Sequence, residues 1–181
     1  LEDDINIALK INPSHISYYH LTIEPNTYFY KHPPKIPSQD EGAELFDLIN
    51  NKLKKANFKH YETSAFAKTG SQCQHNMNYW NFGDYIGIGA GAHGKLTSLE
   101  GIKRTRKQRQ PKEYLNLEKS FLAGSDWVEG KELEFEFMLN ATRLEQSISF
   151  ALFRQRTGLT IEQLMPKLLL AQQKQLILIN D

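Results

Sequence analysis

The stretch ETSAFAKTGSQCQHNMNYWNFGDYIGIGAGAHGK, residues 62–95, carries the densest chemistry of the chain. Its left end continues an apolar, β-prone run, so residues Phe58 to Ala67 predict a strand. Its right end predicts a second, short and glycine-rich strand over Asp84 to Ala90. Between them, Cys73, His75, Met77, Tyr79 and Trp80 gather soft donor atoms and flat aromatic faces into one loop. Heme iron takes His, Cys, Met or Tyr as an axial ligand, and its macrocycle packs against aromatic rings. The plainer alternative is that His75 and Trp80 pin a long loop to the sheet.

The glycines admit two readings as well. Gly87, Gly89, Gly91 and Gly94 crowd a strand end, where glycine permits positive φ and the close approach of a ligand. Gly89, Gly91 and Gly94 formally satisfy GxGxxG, the dinucleotide-binding fingerprint. The following residues, Leu96 to Gly101, make a poor helix start, which argues against it. His93, among those glycines, either contacts a ligand or hydrogen-bonds a turn.

Working outward, Leu1, Ile5, Ala8 and Leu9 predict a first helix that ends near Asn12, ahead of Pro13. His15 to Ile23 predicts a buried strand closed by Pro25. Ser38 and Glu41 form a capping-box signature for a helix to about Ala56, with Asn57 as its C-terminal cap. This alternation predicts an α/β protein with parallel strands, and functional groups at strand ends such as Glu24, Lys68 and His93. Lys103 to Lys112 holds six basic residues and reads as a solvated loop without interleaved aromatics. Pro111 then starts a helix running to Gly124, and Phe135, Met138, Leu139 and Thr142 mark another. Ser149 to Thr157 forms a helix stopped by Gly158, and Thr160 with Gln163 caps one that meets Pro166. Gln175 to Ile179 turns strand-like, so the tail resembles a winged-helix unit with a truncated wing. The expected domains are 1–110 and 111–181.

Apolar residues are 40% and charged residues 24% of the 181, which fits a soluble globular protein. A net charge of +1 argues against a nucleic-acid coat, and no run is apolar enough for a membrane span. Cys73 is the sole cysteine, so neither an internal disulfide nor a four-cysteine metal site can form. A cytoplasmic setting is expected. The chain opens at Leu1 without an initiator methionine, and it is expected to be a fragment.

HISYYHLTIEPNT, YETSAFAK and QCQHNMNYWNFGDYIGIGAGAHGK together resemble the HemW heme chaperones, relatives of oxygen-independent coproporphyrinogen III oxidase. The resemblance is dense from Pro13 to Lys95 and looser beyond. It implies a radical S-adenosylmethionine (SAM) protein: the last strands of a partial (β/α) barrel, then a small helical C-terminal domain. It implies a [4Fe–4S] cluster on a CxxxCxxC loop upstream of Leu1, so this chain would be inactive alone. The family's HNxxYW motif falls on His75, Asn76, Tyr79 and Trp80, implying heme contact, with His75 as ligand or attachment residue. Late-barrel SAM contacts would fall near Tyr19, Gly89, Gly91 and His93. The implied function is heme binding and delivery to acceptor proteins. The alternative is oxidative decarboxylation of coproporphyrinogen III.

Overall fold

The computed structural model describes residues 2–116 and 118–180, so Leu1 of the predicted first helix lies outside them. The chain divides into two compact units, Leu1–Gln74 and His75–Asp181.

In the first unit, α1 (Glu2–Lys10) ends where Asn12 takes φ 55°, ahead of Pro13. Three strands follow around a single turn of helix and one long helix: β1 (His15–Ser17), α2 (Tyr28–Lys31), α3 (Gln39–Lys55), β2 (Lys59–Glu62) and β3 (Ala65–Ala67). Ser38 and Glu41 form the expected reciprocal capping box at the start of α3. Asn57, at φ 65°, turns the chain out of its C-terminal end. Ile49 and Leu53 of α3 are fully buried with Ile5, Phe58 and Phe66. Each such side chain contributes about 1.5–3 kcal/mol by leaving water. β3 lies between β1 and β2 and is antiparallel to both. A bulge between His60 and Glu62 lets Tyr61 accept or donate a 2.9 Å hydrogen bond with His15 Nε2. The HISYY and YETSAFA segments therefore interlock.

The second unit opens with α4 (Gln74–Trp80) and continues into an antiparallel sheet, β4 (His93–Ser98), β5 (Gly101–Lys107) and β6 (Leu122–Val128). The one-turn α5 (Pro111–Tyr114) separates β5 from β6. Helices α6 (Gly130–Ala141), α7 (Phe150–Thr157) and α8 (Ile161–Gln173) complete it. Ile102 and Val128 on the inward sheet face join Phe82, Phe137, Phe153, Leu164 and Leu168 in one core. Phe137 meets Phe82 and Phe153 edge-on, at 5.7 and 5.1 Å between ring centres. Ser149 caps α7, and Gly158 ends it at φ 70°, as expected from sequence.

Several expectations need correction. The strands within each sheet pair antiparallel, because tight hairpins rather than crossover helices join β2 to β3 and β4 to β5. The first predicted strand is only His15–Ser17, and Tyr19 and Leu21 beyond it are exposed. Phe58 to Ala67 is a hairpin and not one strand. Asp84 to Ala90 makes only a bridge between Tyr85 and Lys95, since Gly87 and Gly89 interrupt pairing. Most of the basic run is strand β5, so His93 opens β4 instead of ending a strand. The helix from Pro111 stops at Tyr114, and the expected helix's last residues, Leu122 to Gly124, open β6 instead. Residues 175–180 form no regular strand, so no wing is built there.

Candidate functional site

α4 gathers the predicted heme-contact residues by helical spacing. His75 and Tyr79, four residues apart, share a face, with ring centres 4.6 Å apart. His75 is exposed, leaving its imidazole accessible, while Tyr79 is half-buried behind it. Asn76 and Trp80 share a neighbouring face by the same spacing. The Arg143 guanidinium lies 4.3 Å from the centre of the Trp80 ring. The Trp80 indole N–H is buried and meets no acceptor among the described residues.

Tyr79 is backed in turn. Its ring lies 4.3 Å from that of Tyr85, tilted 32°. The Tyr85 hydroxyl accepts a 2.6 Å hydrogen bond from Arg104 Nη1. Arg104 Nε donates to Glu136 on α6 at 3.0 Å, and its Nη2 also pairs with that carboxylate. Burial pushes the Tyr79 phenol above its ordinary pKa and Tyr85 adds to this, against a smaller opposing effect of Arg104. The Tyr79 phenol therefore stays protonated at physiological pH in the metal-free protein. Burial works against the Arg104 charge, but Glu136 and Tyr85 outweigh it and raise its pKa.

The segment after α4 is fastened from below. Phe82 takes φ 57° with its ring buried in the core, and this left-handed residue turns the chain out of the helix. Lys95 is 1% exposed and lies 4.2 Å above that ring. Its ammonium donates to Phe82 O at 2.9 Å and to Asp84 Oδ1 at 3.0 Å. Asp84 also accepts from the Thr97 N–H and hydroxyl.

Gly89 and Gly91 take φ 104° and 72°, and a side chain on Gly89 would meet nothing within 4 Å. The Gly89 N–H donates to the Tyr114 hydroxyl at 3.2 Å, and the Gly91 N–H to Gln108 O at 2.8 Å. Gly94 lies inside strand β4, not at the start of a helix, so the dinucleotide fingerprint lacks its helix N-terminus. His93 is exposed at the head of β4, opposite Arg106. Tyr19 belongs to the first unit and is 69% exposed.

Tyr85, Asp84, Lys95, Arg104, Glu136 and Arg143 were not singled out from the sequence. The signal for Arg104 was the alternation of Ile102, Arg104 and Arg106 with Lys103, Thr105 and Lys107, which β5 converts into two faces. On the outward face, aromatics from beyond the basic run partner the lysines: Lys103 with Trp127 at 5.1 Å, Lys107 with Phe121 at 4.3 Å.

Residues 128–181 match the HemN C-terminal domain family. The fold is that of a solved radical SAM enzyme, coproporphyrinogen III oxidase (HemN) from Escherichia coli, at a TM-score of 0.72 and 12% identity. That likeness covers 98% of this chain and 45% of the other. The molecule is therefore a mixed α/β, HemN-type structure with a helical C-terminal part. The heme chaperone HemW of Escherichia coli strain K12 is 45% identical over 166 residues, 91% of this chain and 43% of its own length. The heme chaperone HemW of Haemophilus influenzae is 46% identical over 87% of this chain and 41% of its own length. The HemW of Bacillus subtilis strain 168 is 34% identical over 93% of this chain and 45% of its own length. The chain belongs to the HemW family and corresponds to the C-terminal part of its members. It spans less than half the length of these relatives.

A cysteine-ligated iron–sulfur cluster does not fit the residues present. Cys73 is the sole cysteine, and no group of three His, Cys, Asp or Glu among the described residues could hold a metal ion. No described helix is long and apolar enough to cross a membrane.

Proposed function

We propose that the intact protein binds heme and passes it to acceptor proteins, with His75 as axial ligand. Tyr79 and Trp80 are the macrocycle's packing faces, and Asn76 a polar contact beside them. The observation that carries this is the accessible His75 imidazole held against Tyr79 on α4. An exposed histidine on a short helix is ordinary. One braced by two successive tilted aromatic rings, in a chain whose relatives bear the name heme chaperone, has a use for the bracing.

In the same proposal the intact protein carries SAM and a [4Fe–4S] cluster, the cluster on residues outside this chain. The backbone turn at Gly89 and Gly91, with His93 beside it, contacts SAM in this reading, and Tyr19, of the first unit, is a separate candidate contact. Residues 1–110 belong to the barrel and 111–181 to the tail domain, a division drawn from sequence alone; the sheet of β4, β5 and β6 extends across it. The fold shared with coproporphyrinogen III oxidase speaks for architecture and not for substrate at 12% identity.

The test is heme titration of the intact protein and of His75→Ala, followed by the Soret band. The variant is expected to lose or displace the band. Identical spectra and affinities in the two proteins would remove His75 from the site.

A further inference from the structure

We propose that Tyr85 and Arg104 are positioning residues for heme: through Tyr79 they fix the orientation of the His75 imidazole. The inference rests on the heme reading of α4.

Tyr85 is held at both ends. Its backbone N–H and C=O pair with Lys95 O and N–H, each at 2.9 Å, and its hydroxyl is fixed by Arg104. The ring between these anchors therefore presents a set face to Tyr79, and Tyr79 presents its own to His75. Arg104 is fixed from the other side by two bonds to the Glu136 carboxylate. Both bonds converge from Nε and Nη2 on the single oxygen Oε2, which holds that edge of the guanidinium against the carboxylate. The resulting succession, Glu136 to Arg104 to Tyr85 to Tyr79 to His75, joins α6 to the exposed imidazole entirely by side-chain contacts within one unit.

A direct grip on a heme carboxylate is the competing role for Arg104. Its surroundings disfavour that role. The hollow of about 510 Å³ beside it is lined by Arg104 and Arg106 but also by Asp126, Glu132 and Glu136. Arg106 is paired with Asp126 at 2.8 Å. Three carboxylates against two guanidiniums leave no surplus positive charge for an anion. Arg104 has its partners already and acts through them.

Supporting residues around a metal-bound histidine are commonly worth 10–100-fold in affinity, and a support acting through ring contacts should give roughly three- to tenfold. The experiment uses the intact protein loaded with heme. It records the Soret maximum and width, the low-spin EPR signal, and the rate of heme transfer to excess apomyoglobin. Tyr85→Phe deletes only the hydroxyl and keeps both the ring and the Arg104–Glu136 pair, so the fold is retained. Arg104→Gln removes the charge, and Arg104→Lys restores part of it. Tyr85→Phe and Arg104→Gln are expected to broaden or displace the band and to speed release roughly three- to tenfold. Arg104→Lys should fall between them and wild type. Wild-type spectra and release in Tyr85→Phe, where His75→Ala loses the band, would overturn the positioning role alone. A His75→Ala protein with wild-type spectra would overturn the heme reading beneath it.

Discussion

The Lys95 ammonium is 3.0 Å from an Asp84 carboxylate oxygen, and the lysine is almost wholly buried while the aspartate is 40% exposed. The pair is unequal. Burial pushes the Lys95 pKa down against the pull of Asp84, so the lysine depends on its partner more than the partner depends on it.

Asp84→Asn should therefore cost more than Lys95→Met. The first leaves a buried ammonium with weakened compensation and should lose about 3 kcal/mol. The second leaves a half-exposed carboxylate still held by Thr97 and should lose about 1–2 kcal/mol. Urea melts of both variants measure the order. The pH dependence follows from Asp84. For this carboxyl, burial is outweighed by the bonds from Thr97 and Lys95, so its folded pKa lies below the ordinary 3.8. The unfolded chain then binds the proton more tightly, and the stabilisation is present above pH 3.8 and lost as pH falls through the folded value. An acid titration of stability should show this loss in wild type and not in Asp84→Asn.

Two glycines of the same motif should fail for different reasons. A Cβ at Gly87 would lie 2.2 Å from the His93 carbonyl oxygen, a backbone atom that cannot step aside. Gly87→Ala should cost about 2–3 kcal/mol and break the Tyr85–Lys95 bridge. Gly89 has open space around its Cβ position but sits at φ 104°, so Gly89→Ala should cost about 1–2 kcal/mol through backbone strain alone. Thermal melts separate the two, and equal costs would show that crowding is not the difference.

This contrast also shows what could be read from sequence. Glycine density marked the place, and helix caps at Ser38, Asn57, Ser149 and Gly158 were legible because each depends on residues within one turn. Strand direction was not legible. Nothing local distinguishes a strand that meets a neighbour by hairpin from one that meets it by crossover, so the antiparallel β2–β3 and β4–β5 pairs were missed. At the site, His75, Asn76, Tyr79 and Trp80 lie within one short helix and announce themselves. Arg104 and Glu136 enter through β5 and α6, and Arg143 lies beyond α6; only folding brings each to the motif.

The Glu134–Lys167 pair joins α6 to α8 with the carboxylate buried and the lysine largely exposed. Lys167→Met should cost about 2–3 kcal/mol, because it strands a charge in the core. Adding Glu134→Leu should restore near-wild-type stability by replacing the pair with apolar packing. A double-mutant cycle by denaturant melts tests this, and additive losses would show that the two groups do not communicate.

Strand order has a kinetic consequence as well. β4 and β5 meet across the turn between Ser98 and Gly101, whereas His15 must find Ala67 across roughly fifty residues of chain. The hairpin can close within microseconds, while the sheet of β1, β3 and β2 must wait for a long-range encounter. The unit holding α4 therefore contains a fast local nucleus of its own, and the segment bearing His15 and Tyr61 is the one exposed to misassembly during synthesis.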